Sequence, residues 1–387
     1  MTKLKTFHSK TKIYSGRGSI SQLGVISKEL GATRCLLVAD PELEQHGMIE
    51  LARASLREAG LHVEMSLRVE PEPYLDNADD AAAVGRDLQA DLVIGMGGGS
   101  SMDTAKAAAA LITNKGQAED YVGLNKVSIP SPPTVMIPTT SGTGAEVTFT
   151  AVFTNRTTNV KGGINSPHLF PNVALLDPEL TLSVPPLVTA FTGMDALTHA
   201  IESVTGRSST VFTESLSLTS IKLISDSLRQ AVYYGNDIVA REKMLLGSLF
   251  GGMALADAGV GAAHALAYPL GGHYRIPHGL ANAVLIPHVM QFNLPASIET
   301  LALVAKSMGE SVEGLSARWA AQNAVDAVKA LADDIGIPQS LTDLGVPRAD
   351  IPMLIESALK VTRPVENNPR ELGPTEAHAI YEEAFAD

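Results

Sequence analysis

Residues 91–106 read DLVIGMGGGSSMDTAK, an apolar run that passes through glycines into a helix-forming stretch. Asp91–Met96 has the buried, β-branched character of a strand. Gly97-Gly98-Gly99-Ser100 follows, and Ser101–Ala110 continues as a helix with Asp103 in its first turn. Glycines let a backbone approach a phosphate closely, and the free N–H groups at a helix start favour an anion. The spelling Gly95-x-Gly97-x-x-Ser100 is close to a dinucleotide fingerprint but not identical to it. A tight strand-to-helix turn fits the same residues.

Working outward, short runs of the same kind alternate with helical spacing from about residue 34 to 180. Cys35–Ala39, Thr134–Ile137 and Asn172–Leu176 read as buried strands; Pro41–Ala59, Asn77–Leu88 and Ser100–Thr113 read as helices. That alternation predicts an α/β domain with a parallel sheet. After Pro185–Pro186 the strand signal stops. Ala/Leu-rich segments follow over 187–204, 211–235, 237–258, 261–270, 298–305, 315–335, 352–361 and 375–385. The expected division is therefore an α/β domain over 1–186 and an all-helical domain over 187–387. Ligands are expected in the cleft between them.

Composition narrows the function. The 387 residues are 45% hydrophobic and 18% charged, which suits a large buried core and excludes a disordered chain. Lys+Arg total 29 against 42 Asp+Glu, a net charge of −13, with 5% aromatics. Such a chain repels phosphate backbones and anionic membranes and offers few stacking platforms, so a small molecule is the expected partner. Cys35 is the only cysteine, which excludes an intrachain disulfide and a thiolate metal cage. The longest apolar run, Ala107–Ile112, is too short to span a bilayer. Six basic residues precede the first acid, Glu29, which hints at a transit peptide. No apolar region follows them, and Thr11–Ser15 already reads as a strand. A cytoplasmic location is the expectation.

Two further features strengthen the dinucleotide reading. Asp40 ends the strand Cys35–Ala39, where a carboxylate can accept hydrogen bonds from a ribose diol; a helix cap ahead of Pro41 explains it equally well locally. Residues 138–146 read PTTSGTGAE, placing four hydroxyls and two glycines at the end of strand Thr134–Ile137. Glycine loop, terminal carboxylate and hydroxyl-rich turn together point to a dinucleotide.

Of ten histidines, five lie between residues 199 and 288. Asp195 and His199 stand at i,i+4, where two side chains share one helix face with Cβ atoms about 5–6 Å apart. His264 sits in an apolar helix and His278 in the turn Ile276–Gly279. One carboxylate and three imidazoles form a plausible set for Fe²⁺ or Zn²⁺ with a position left for a substrate oxygen. Individually each residue also reads as an ordinary core or turn position. His264 among Ala, Val and Leu is the hardest to explain that way.

The strings GGGSSMDTAKA, PTTSGTGAEVT, GMDALTHAIE and HALAYPLGGHYRIPHGLANAVLIPHV resemble the iron-containing (group III) alcohol dehydrogenases. The resemblance runs from Thr11–Ser19 to the final helix and removes the transit-peptide reading. It implies metal ligands at Asp195, His199, His264 and His278. It implies NAD(H) contacts at Asp40, Gly98, Gly99, Ser100, Thr139, Thr140, Thr143, Phe149, Lys161 and Leu180. An acid at the position of Asp40 goes with NAD(H), because it repels the 2′-phosphate of NADP(H). The implied reaction interconverts a small primary alcohol and its aldehyde, in a chain expected to form a homodimer or larger homo-oligomer.

One position departs from the family. Where many members carry a second histidine, one turn after His264, this chain has Tyr268. A phenol titrates near pH 10 and is a poor base at neutrality, so Tyr268 reads either as a modified proton relay or as a packing residue. His273 is a further candidate for pocket lining or a substitute relay, while His288 reads as structural. The departure leaves open a hydroxyacid–oxoacid transhydrogenase that retains its NAD. A lyase resembling dehydroquinate synthase fits less well, because that site needs a glutamate ligand and several basic residues for a phosphate.

Overall fold

The computed structural model describes residues 5–156 and 161–385. These fall into two compact units, Ser9–Val184 and the helical remainder from Pro185 onward.

In the first unit, strands β1 (Lys12–Ser15), β2 (Arg34–Ala39), β3 (His62–Ser66), β4 (Leu92–Gly97), β6 (Thr134–Pro138) and β9 (Val173–Leu176) form one sheet in the order β1-β9-β6-β4-β2-β3. Every pairing within it is parallel. The apolar runs explain this. Leu36, Val38 and Val93 pack into one core cluster, whereas Cys35, Leu37, Leu92 and Ile94 pack into another on the opposite face. A sheet buried on both faces is the doubly wound arrangement, with near-continuous hydrophobic strands. The chain steps from β2 outward to β3 and then back across β2 to β4. The strand order therefore reverses at β2/β4, where open α/β sheets bind ligands beyond their carboxyl ends.

The expected helix over 41–59 is two helices, Glu42–Gln45 and Met48–Glu58, because Gly47 adopts a left-handed conformation (φ 70°) between them. Strand β3 is hard to read from the sequence because it is an edge strand with exposed His62 and Glu64 positions. A second, three-stranded sheet was also unanticipated: β5 (Gly123–Leu124), β7 (Thr150–Thr154) and β8 (Lys161–Asn165).

The helical unit is built around Pro186–Thr205, which opens with proline in its first turn. Gly193 through Val204 are all buried, so this helix is central rather than amphipathic. Val211–Tyr233, Ile238–Ala258, Ala262–Tyr274 and His278–Asn293 supply much of the core around it. The compact units differ from a division into 1–186 and 187–387 at both ends: the boundary falls between Val184 and Pro185, and Lys5–His8 group with the helical unit. Lys5 donates to the Ser209 carbonyl (2.6 Å), Phe7 stacks on Phe212 and His8 bonds Asp257, which ties these residues to the helical unit. Among the described residues, no single helix is long and apolar enough to cross a membrane.

Candidate metal centre and dinucleotide cradle

Three separate helices of the second unit converge on one buried point. Asp195 and His199 come from Pro186–Thr205, His264 from Ala262–Tyr274, and His278 is the first residue of His278–Asn293. His278 therefore opens a helix rather than lying in a turn. Pro287 inside that helix masked it in the sequence, since proline usually ends a helix. Gly279 allows the approach: a Cβ there would lie 2.5 Å from the Phe191 carbonyl oxygen and 3.2 Å from Asp195 Cβ.

One ligand atom each from Asp195, His199 and His264 lies within 4.8 Å of the others, and all three residues are buried. His264 Nε2 and His278 Nε2 are each 4.0 Å from Asp195 Oδ1. Donors about 2.0–2.2 Å from one cation can lie up to about 4.4 Å apart, so the two 4.0 Å separations from Asp195 leave room for one. The His199 and His264 rings stack at 4.7 Å, and His264 meets His278 edge-on at 5.2 Å.

The hydrogen bonds around these residues leave the donors pointing inward. Glu202 Oε2 lies 2.6 Å from His264 Nδ1, while its Oε1 accepts the Ala263 N–H at 2.6 Å. With Nδ1 taken by a carboxylate, His264 presents Nε2. That atom is buried with no hydrogen-bond partner among the described residues. An orphaned imidazole nitrogen facing a buried carboxylate fits a metal ligand, oriented by the carboxylate–histidine arrangement common around metal ions. Asn282 Nδ2 donates to Asp195 Oδ1 (2.8 Å) and lies 3.2 Å from His278 Nε2, a nitrogen that can accept only when unprotonated.

Charge follows the same pattern. Burial works against an ionised Asp195, but His199, His278 and His264 outweigh it and hold the carboxyl below its usual range. Burial likewise disfavours a charged His264, yet Glu202 beside it raises the imidazole's pKa. Glu202 was not among the residues singled out from the sequence. The signal was there: Asp195, His199 and Glu202 stand at i, i+4 and i+7, on one helix face.

Tyr268 joins this cluster and His273 does not. The Tyr268 ring lies parallel to His278, with centroids 5.5 Å apart and an interplanar angle of 6°. Burial pushes its hydroxyl up to about 12, with the Glu202 and Asp195 carboxylates adding to the shift. His273 is nine residues beyond His264, about two and a half helical turns, which turns it to the opposite face. It is exposed, and among the described residues its side chain makes a long 3.5 Å contact with Ser357 Oγ and an edge contact with Tyr274. His273 therefore stands apart from the cluster. We expect Tyr268→Phe, which keeps the stacked ring, to lower kcat by less than about tenfold and to leave the pH profile superimposable. A relay would show itself as a loss of about 10²–10⁴-fold.

In the first unit, the remaining expected residues gather in part. Asp40, Gly98–Ser100 and Thr139–Thr143 follow the ends of neighbouring strands β2, β4 and β6. Gly98 caps the helix Gly99–Thr113, and the Thr139 N–H donates to the Gly97 carbonyl at 2.9 Å, joining the two loops. A Cβ on Gly99 would come within 2.7 Å of Thr143 Cγ2, so only glycine allows this approach. Asp40 Oδ1 accepts the Glu42 N–H at 2.8 Å, so the turn-forming role is real and engages one carboxylate oxygen. Phe149 is half-buried against Phe170, and Lys161 opens β8 with its ammonium paired to Glu72. The Leu180 side chain is buried in the core, which leaves its backbone as the part a ligand can meet.

Comparison with known proteins gives one consistent result. Residues 10–178 match the family described as iron-containing alcohol dehydrogenase, and residues 189–385 match its C-terminal domain. A 1,3-propanediol dehydrogenase of Klebsiella pneumoniae is 42% identical over 374 residues, 96% of each chain. An NAD-dependent methanol dehydrogenase of Bacillus methanolicus is 38% identical over 355 residues, covering 92% of this chain and 93% of its own. The crystal structure of a 1,3-propanediol oxidoreductase superimposes with a TM-score of 0.96 at 41% identity, over 99% of this chain and all of the other.

Proposed function

The chain belongs to the iron-containing alcohol dehydrogenase family, and on that premise we propose that it interconverts small primary alcohols or diols and their aldehydes with NAD(H). The observation that carries this reading is the buried Asp195–His199–His264 cluster, with His264 Nε2 bare and His278 beside it.

Asp195, His199, His264 and His278 are the residues to hold a divalent cation, Fe²⁺ by family membership. When bound, such a cation supplies Lewis acidity toward a substrate oxygen, and a nicotinamide dinucleotide supplies hydride exchange. The chain's own contribution is placement. Glu202 selects the His264 tautomer that leaves Nε2 available, and Asn282 steers Asp195 Oδ1. Tyr268 covers one face of His278 and keeps its proton at neutral pH. For the cofactor, the helix start at Gly98–Ser100 offers N–H groups to a pyrophosphate, and Thr139, Thr140 and Thr143 offer hydroxyls beside it. Phe149, Lys161 and the Leu180 backbone complete the proposed contacts.

Asp40 is proposed to choose between cofactors. Asp40→Gly removes repulsion toward a 2′-phosphate and forfeits ribose hydrogen bonds. A charged hydrogen bond is worth about 1.5–3 kcal/mol, so the NAD/NADP preference should move by about tenfold or more. An unchanged ratio of kcat/KM values would leave Asp40 with its turn to Glu42 alone.

The reading as a whole is tested by assaying small alcohols, diols and aldehydes with NAD(H) after anaerobic reconstitution with Fe²⁺. We expect turnover that depends on added NAD(H). Activity only between a hydroxy acid and an oxo acid, with no need for added NAD, would contradict it. The family's metabolic character also leads us to propose a cytoplasmic homo-oligomer.

A further inference from the structure

Lys106 is a cation with no place in the chemistry described so far, yet its side chain is completely buried in the first unit. Isolating an ammonium from water is costly unless every donor is satisfied. Here the donors are taken up by one short stretch of chain. Lys106 Nζ meets the carbonyls of Ala145 (3.0 Å), Thr148 (3.5 Å) and Thr150, and the Thr148 hydroxyl at 3.3 Å. Asp103, one turn earlier, lies 2.9 Å from the same nitrogen, and its Oδ2 accepts the Val152 N–H at 2.8 Å.

The placement of this clamp matters more than its strength. Lys106 and Asp103 belong to the helix Gly99–Thr113, whose first residues are the glycine loop. The carbonyls that Lys106 holds run from Ala145 and Thr148, beyond the threonine loop, to Thr150 at the start of β7, and the N–H that Asp103 accepts belongs to Val152 within β7. Between the threonine loop and β7 the chain makes a single 3-10 turn, Ala145–Val147, which lies outside the ladder that pairs β7 with β8 from Thr150 onward. The two loops already touch at Gly99 and Thr143.

We propose that Lys106, held by Asp103, is a positioning residue that sets the spacing between the glycine loop and the threonine loop, and so the affinity for the dinucleotide. This rests on the dinucleotide reading above. A buried ion pair serves stability poorly compared with an apolar pair of similar volume, so its value lies in defining one geometry for the loops.

The test separates stability from positioning. In Asp103→Leu/Lys106→Met both members of the pair leave together, so neither is left facing an empty position, and the fold should persist. Three readouts are compared with wild type: melting temperature, Kd for NADH by fluorescence titration, and kcat at saturating NADH. The expected result is a Kd raised by about ten- to a hundredfold, the scale set by misplacements of about an ångström, with kcat within about threefold. Thr148→Val removes a single acceptor and should raise Kd by about two- to fivefold. It carries the test if the double variant does not fold. Wild-type Kd in the folded double variant, or in Thr148→Val should the double variant be unfolded, would overturn the inference and leave the dinucleotide reading standing. Failure of NADH to bind the wild-type protein would overturn that reading, and this inference with it.

Discussion

His264→Ala should strip the protein of bound metal and lower turnover by about three orders of magnitude or more, while leaving its helical content intact. The size follows from what the cation does: Lewis-acid stabilisation is worth several kcal/mol, at about 1.36 kcal/mol per decade of rate. His264 is the right residue to remove because it connects everything else. Its Nε2 faces Asp195 at 4.0 Å, its ring stacks on His199, and its Nδ1 occupies Glu202. The variant also strands the buried Glu202 carboxylate, so a lower melting temperature should accompany the loss. Metal analysis, circular dichroism and an NADH-coupled assay on one preparation check all three outcomes. A His264→Ala protein with full metal content would remove His264 from the ligand set.

The second large effect is expected at a residue that need not touch the metal. Glu202→Gln keeps the size of the side chain and weakens the acceptor that fixes the His264 tautomer. Partners of this kind typically account for 10–100-fold in metal affinity, so the dissociation constant should rise by about that factor. Competition with a chromophoric chelator measures it directly, independent of turnover. At saturating metal most of the activity should return, since the ligands themselves are unchanged. An unaltered dissociation constant would make Glu202 only the cap that receives the Ala263 N–H.

Much of this was legible in the sequence for physical reasons. Strands β2, β4, β6 and β9 carry near-continuous apolar runs because both faces of the sheet are covered, and such runs stand out from any helix period. Asp195 and His199 could be paired from their i,i+4 spacing alone. What was hidden depends on tertiary packing. Strand β3 alternates exposed and covered positions at an edge, and β7–β8 form a small separate sheet with glycines at 162 and 163. The helix His278–Asn293 contains Pro287, and only its packing on Phe191 through Gly279 makes it visible. His273 drew attention by residue type, but helix geometry turns it away from the cluster. Glu202 and Lys106 are hard to read from the sequence because a charged residue in a helical stretch normally signals an exposed face, whereas both are buried and paired here.

The most direct measurement is an anaerobic titration of metal-free protein with Fe²⁺, following NADH oxidation by a small aldehyde alongside bound iron. If the Asp195, His199, His264 and His278 cluster holds the working metal, activity should start near zero and rise in proportion to bound iron. It should level off at about one equivalent per chain, the capacity of a single four-donor site. Full activity in the metal-free protein, or a plateau reached with no iron bound, would contradict this account.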